Sequence, residues 1–247
     1  MDWNKHFFNI IGLFDTSKDI VMSNTYSNGS SYNRSKIKER QFNLNGVVKG
    51  LDNFNNFKRV MNKSGLKKLT VTYPGMPTFY LMVDFENYAT DSNYLQKVSL
   101  QVVAPDPNLY ANDAQEIVLG NIASSGFIVP VTLPVTLGIP TGSSGILINY
   151  GNETGYPLFK IIGTCSNIII TNETTGESMT IDVNLNEGDE LIIDNIKRSI
   201  TLNGVKRMDI KSGNWISCVP GRNSIGFART SLQDKQHAIA NFRSVWL

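Results

Sequence analysis

The segment ESMTIDVNL, residues 177–185, alternates without a break, with Met179, Ile181, Val183 and Leu185 apolar and Ser178, Thr180, Asp182 and Asn184 polar. A two-residue period places successive side chains on opposite faces of a strand, so this segment buries one face and wets the other. Further strand-like runs, NIIIT, ELIID and SITL, lie close by, separated by turns such as NETTGE and NEGDE. Asn203-Gly204 stands between SITL and VKRM, and that pair tolerates the positive φ that both positions of a two-residue hairpin require. Short strands at this spacing predict an antiparallel β-sandwich for the second half of the chain.

The first half is built differently. In LDNFNNFKRVMNKSG, Leu51, Phe54, Phe57, Val60 and Met61 recur at helical spacing, which predicts one helix with Asp52 as N-cap and Gly65 as stop. LKKLTVTY alternates Leu69, Val71 and Tyr73 against Lys68, Thr70 and Thr72, and TFYLMVDF, QKVSLQVV and QFNLNGVV read as further strands. Preceding them, TYSNGSSYNRSKIKER, residues 25–40, offers a core almost nothing. It is a surface loop or an arm that packs on something outside its own domain. Arg34, Lys36, Lys38 and Arg40 recur every second residue, so in an extended segment all four share one side. That side is a solvated cationic face, a contact with acidic groups of a neighbouring subunit, or the lining of a passage for DNA.

The sign of the charge changes along the chain, from net positive over residues 1–110 to net negative beyond, at APDPNLYAND with its two prolines. Two prolines so close break any regular element. The expected division is residues 1–111, residues 112–232, and a closing segment 233–247 whose NFRSVWL returns to the first domain. With 41% hydrophobic and 18% charged residues the chain is of the soluble globular class. FFNIIGLF is too short to span a bilayer and no secretory signal is clear, so no membrane insertion is expected and the chain is read as made and kept in the cytoplasm.

Constellations that carry chemistry are missing. Cys165 and Cys218 stand in strand-like apolar settings and His6 and His237 are isolated, so buried thiols are expected and a metal site is not. A disulfide would need their strands to be neighbours. Phosphate-binding glycine loops, nucleophile elbows and zinc-binding helix motifs are absent. Glu187, Asp189, Glu190 and Asp194 cluster in a turn and at a strand end, where solvated turn carboxylates are the ordinary reading and a glycosidase pair the rare one. No catalytic residue, cofactor or metal is expected.

The stretch NETGYPLFKIIGTCSNIIITNETTGESMTIDVNLNEGDELIIDNIKRSITLNG, followed by NWISCVPGRNSIGF, resembles the C-terminal half of the siphophage distal tail protein family. The turn residues Gly176, Asp194, Asn195, Gly204 and Pro220-Gly221 come in the order that family shows. The resemblance implies a mainly β protein with two parts: an N-terminal ring-forming domain, β-rich with one helix and a protruding belt arm, and a C-terminal galectin-like antiparallel sandwich. It also implies a structural virion protein rather than an enzyme. Such proteins form a homo-oligomeric ring, expected to be a hexamer, between the tail tube protein and the tip or baseplate protein of a phage tail, with DNA only as passing cargo. Assembly would take place in the bacterial cytoplasm. A galectin-like sandwich also raises a lectin-like, carbohydrate-binding module, for which Trp215 is the one platform candidate, though its setting among Ile216, Cys218 and Val219 suggests packing.

Overall fold

In a computed structural model of the chain, the described residues are 7–24, 28–91, 96–120, 142–230 and 237–247. His6 lies outside them. The chain divides into two compact units, Met1–Asn112 with Leu247, and Asp113–Trp246. Both are built mainly of antiparallel β-sheet.

The first unit contains β1 (Phe7–Ile11), β2 (Lys18–Asn24), β3 (Ser30–Ile37), β4 (Arg40–Val48), α1 (Leu51–Met61), β5 (Lys67–Val71), β6 (Phe79–Asp91), β7 (Gln96–Ala104) and β8 (Leu109–Ala111). Its main sheet runs β1-β4-β7-β6-β8, with β5 also on β6. Alternation decides which side is buried: Phe42, Leu44 and Val48 of β4 and Val98, Leu100 and Val102 of β7 face inward, while Asn43, Asn45 and Ser99 face out. The helix forms where its spacing predicts, burying Phe54, Phe57 and Met61. It begins two residues earlier than expected, because Gly50 at φ 85 is the N-cap residue. Asp52 therefore sits in the first turn, where its charge complements the helix dipole instead of capping.

The second unit contains β9 (Gln115–Leu119), β10 (Gly142–Asn149), β11 (Leu158–Ile162), β12 (Cys165–Asn172), β13 (Glu177–Leu185), β14 (Glu190–Asp194), β15 (Ser199–Leu202), β16 (Val205–Lys206), β17 (Lys211–Gly213), β18 (Gly221–Thr230) and β19 (His237–Phe242). They form a five-stranded sheet β10-β18-β12-β13-β17 and a six-stranded sheet β16-β15-β14-β11-β19-β9. Ile168, Ile170, Met179, Ile181, Ile225 and Phe227 of the first meet Phe159, Ile161, Leu191, Ile193, Ala238 and Phe242 of the second in one apolar core. That is a β-sandwich. The Asn203-Gly204 turn joins β15 to β16 with Leu202 opposite Val205, at φ 49 and 80. The sequence reading set residues 233–247 apart, whereas β19 lies between β11 and β9, hydrogen-bonded to both.

Between β17 and β18 the chain crosses the unit as an irregular strap, residues 214–220, that buries Ile216, Ser217 and Cys218. Outside a ladder its backbone groups need side-chain partners, and asparagines supply them. Asn195 accepts from the Ile216 N–H at 3.0 Å and donates to Pro157 O. Asn172 donates to Ser217 O at 2.6 Å and Asn149 to Cys218 O at 3.1 Å. Asn223 brackets Val219, accepting from its N–H and donating to its carbonyl. The Glu177 carboxylate takes the Ser217 N–H at 2.7 Å and its hydroxyl.

Cys165 and Cys218 are both free thiols. Cys165 pairs with Leu185 on β13 and Cys218 bridges to Gly155, so they are not ladder neighbours. Burial pushes the Cys165 thiol up and the Cys218 thiol to about 12, the latter helped by Glu177. The thiolate is the reactive form, so at pH 8 neither cysteine should take up a maleimide in the native protein, and both should in denaturant; native labelling on the minute scale would contradict this. The linkage has the opposite sign to a carboxylate's. Unfolded cysteine ionises near pH 8.5 and folded Cys218 does not, so its contribution is unchanged below that pH and stability falls as pH rises above it.

Candidate assembly surface

Strands β2 and β3 form a two-stranded sheet of their own, and every residue of theirs is exposed except half-buried Ile37. Residues 25–27, which open the expected arm, lie outside the described residues. The arm is thus not a lone extended segment: its polar strand is paired along its length with Lys18–Asn24. Ile20, Val21 and Met22, β-branched or long and followed by Asn and Gly turn residues, were the signal for that partner strand.

Cross-strand partners share a face. Ile20 opposite Ser35, Met22 opposite Tyr32 and Lys18 opposite Ile37 define one face; Asp19 opposite Lys36, Val21 opposite Arg34 and Ser23 opposite Ser31 define the other. The register shift between Val21 and Met22 leaves Asn33 as the extra residue, bonded to Ser23 Oγ at 2.6 Å. The hairpin is therefore two-sided. One side carries the apolar Ile20, Met22 and Tyr32, 51%, 57% and 62% exposed, together with Lys18, and the other carries the cations Arg34 and Lys36 together with Asp19 and Val21.

The four regularly spaced cations do not form one stripe. Arg34 and Lys36 share a face, and Lys38 follows the end of β3 with Nζ 3.9 Å from Asp19. Arg40 opens β4 and is buried, 2% exposed. Its Nε donates to Pro107 O at 2.7 Å and its Nη1 to Leu13 O at 2.5 Å, with Asp15 O at 3.5 Å. Burial holds the guanidinium below its ordinary pKa, offset in part by Asp15. The period-two rule assumed one strand, but the chain leaves β3 and enters the main sheet between Lys38 and Arg40. Arg40 thus ties the residues before the hairpin to the turn after β7. That turn is itself fixed by Asp106, which accepts from the Asn108 N–H and from the Tyr110 hydroxyl at 2.6 Å. Burial and Asp106 raise the Tyr110 pKa.

Replacing Arg40 with Met removes the donor to the buried Leu13 carbonyl and to the part-buried Pro107 carbonyl, so the urea midpoint of the first unit should fall by the equivalent of about 2–4 kcal/mol. Arg34→Ser should cost under ~0.5 kcal/mol. Equal effects of the two substitutions would contradict this placement.

The other sequence candidates are engaged locally. Trp215 is half-buried against the second unit's core, and Lys211 Nζ lies 4.7 Å over its ring. Asp189 closes its turn, accepting from the Asn186 N–H and Asn203 Nδ2, and these bonds hold its carboxyl low. Glu190 pairs with Lys160 at 2.6 Å and Asp194 with Lys197 at 3.3 Å. Glu187 is an exposed residue of the same turn. Among the described residues no three His, Cys, Asp or Glu side chains gather as a metal site, and no helix is long and apolar enough to cross a membrane.

Residues 150–246 match the family of siphovirus-type tail component C-terminal domains. None of the curated protein sequences matches the chain. The crystal structure of phage SPP1 Dit (gp 19.1), described as a paradigm of the hub adsorption apparatus in phages infecting Gram-positive hosts, is similar at a TM-score of 0.67 with 13% identity, over 98% of this chain and 94% of that one. A chain of the phage P2 baseplate in its activated conformation with Ca is similar at 0.52 with 10% identity, over 97% and 90%. At such identities the likeness to the two solved structures is one of fold.

Proposed function

Because the chain carries, over residues 150–246, the siphovirus-type tail component domain of the distal tail protein family, we propose that it is a structural protein of a phage tail tip that works by closing into a ring. The ring, a hexamer on this reading, joins the tail tube protein above to the tip or baseplate protein below, and DNA crosses it only as cargo. It forms in the bacterial cytoplasm and resides in the virion tail. Catalysis is no part of the role.

The observation that carries this reading is the β2–β3 hairpin. A lone two-stranded sheet is marginal in water, yet this one holds large apolar side chains on one face and cations on the other. Both faces are satisfied if each copy lays its hairpin on the next, since a closed ring lets every subunit give and receive one such contact. The outer edges of β2 and β3 can add main-chain hydrogen bonds.

The test replaces residues 18–37 with a short Gly-Ser link. Lys38 N–H bonds Ser17 O at 2.9 Å, so the stems already meet and the cut leaves the main sheet intact. The parent, alone or with its tube and tip partners, should give rings by light scattering and electron microscopy; the hairpin-less chain should fold and stay monomeric. Rings of unchanged abundance without the hairpin would sink the proposal. The double change of Arg34 and Lys36 to Ser should weaken assembly at low salt and leave it near parental at high salt, where screening has already removed the contribution.

A further inference from the structure

Asn-Gly occurs three times in the chain, at Asn28-Gly29, Asn45-Gly46 and Asn203-Gly204. In an unfolded chain the three are chemically alike, because a glycine after asparagine puts no Cβ in the way of its own amide nitrogen. That nitrogen can attack the carbon of the preceding side-chain amide. The fold sets the three apart.

Asn45-Gly46 lies in the middle of β4, between β1 and β7: Gly46 is opposite Phe8 on one side and Val98 on the other, and Asn45 opposite Asn9 and Ser99. The Gly46 N–H therefore meets a paired strand whichever way it points, and Asn45 Oδ1 accepts from the Ser99 hydroxyl at 2.6 Å. Asn203-Gly204 forms the turn between β15 and β16, and the asparagine side chain is held at both ends. Its Oδ1 accepts from the Glu190 N–H at 2.9 Å and its Nδ2 donates to Asp189 at 2.8 Å, while its backbone N–H donates to Glu190 O. Neither asparagine can swing its carboxamide onto the next nitrogen without giving up these bonds.

Asn28-Gly29 is placed differently. Both residues are exposed and stand outside the β2–β3 ladder, whose last described pair is Asn24 opposite Ser30. Gly29 has φ 110, with open space where a Cβ would stand. A glycine backbone in open space gives this peptide unit the room that cyclisation needs. We propose that Asn28 is a site of spontaneous covalent modification, deamidating through a cyclic imide while the fold protects Asn45 and Asn203. The Gly29 nitrogen forms a bond to Asn28 Cγ, the Cγ–Nδ2 bond breaks, and ammonia leaves with the proton that the Gly29 nitrogen gives up. Water then opens the imide at either carbonyl, to aspartate or to isoaspartate, whose main chain runs through the former side chain. Either product adds a carboxylate next to the strand that carries Arg34 and Lys36, the cations of the hairpin used in the proposed ring contact.

The intact parent chain tests this. Held at mildly alkaline pH and mapped by protease digestion and mass spectrometry, it should gain aspartate and isoaspartate at residue 28 at least about ten-fold faster than at 45 or 203, the factor carried by the one or two hydrogen bonds that must break there. In urea the three positions should react at similar rates, since only the sequence then acts. Asn28→Gln, whose longer side chain would have to close a larger ring, should abolish the early isoaspartate while changing only an exposed position. Equal rates at the three positions in the folded chain, a faster reaction at 45 or 203, or early isoaspartate that survives Asn28→Gln would each overturn the proposal. The same order of rates in urea as in the folded chain would overturn it as well, because the selection would then lie in the local sequence and not in the fold.

Discussion

A fragment Asp113–Trp246 should fold as a cooperative unit, and the same fragment ended at residue 232 should not. Strand β19 is the cause. It sits between β11 and β9, with five residues paired to each, and it puts Ala238, Ala240 and Phe242 into the core at 1% exposure or less. Without it β9 has no sheet to join and β11 loses a whole edge of backbone partners. Gly155 marks the fit: a Cβ there would stand 2.7 Å from the Phe242 ring, so the fold has been cut to receive that side chain. The combined loss exceeds the roughly 5–15 kcal/mol by which a domain is stable. Dispersed amide resonances and a urea transition for the long fragment, with neither for the short one, are the expected result. A folded short fragment would show that the ladder around β19 is dispensable.

Asn223→Ala should lower the stability of the second unit by about 3–5 kcal/mol, far above the ordinary effect of a polar-to-alanine change. The Asn223 side chain is fully buried. Its Oδ1 accepts from the Val219 N–H and from Asn172 Nδ2, and its Nδ2 donates to Val219 O and Gly221 O. Alanine takes the partner from the buried Asn172 amide and from the part-buried Val219 and Gly221 groups at once. Aspartate is no rescue, because it accepts twice but cannot donate to the two carbonyls. The measurement is the urea midpoint at constant m-value, with Asn184→Ala on the exposed side of β13 as a control expected within ~0.5 kcal/mol. Near-equal midpoints for the two variants would mean that the strap is not held by this network.

How far the fold could be read in advance depended on whether local pattern and final environment agreed. They agreed for α1, whose Phe54, Phe57 and Met61 are buried at the spacing that announced them, and for β13, where Met179, Ile181 and Leu185 face the core. The Asn203-Gly204 turn agreed too, since its constraint is local φ. They disagreed for the asparagines. Asn149, Asn172, Asn195 and Asn223 look like turn residues in sequence and are 2% exposed or less, because each bonds at least one group 21 to 69 positions away. Nothing in a linear pattern distinguishes a solvated turn amide from one that secures a buried strap.

The sequence by itself determined the β class, the strand faces, the helix, the hairpin turn and the resemblance to the distal tail protein family, since each rests on periodicity, turn chemistry or ordered motifs within tens of residues. Tertiary structure alone decided the rest. It paired the polar segment after residue 28 with Lys18–Asn24 and so made an apolar and a cationic face. It took Arg40 out of a surface stripe and buried it at the hairpin's root, laid Lys211 over Trp215, and inserted β19 into the middle of a sheet. In each case the deciding quantity was which distant backbone carbonyl, strand edge or ring came within bonding distance, and that is set when the chain closes on itself rather than by the order of its residues nearby.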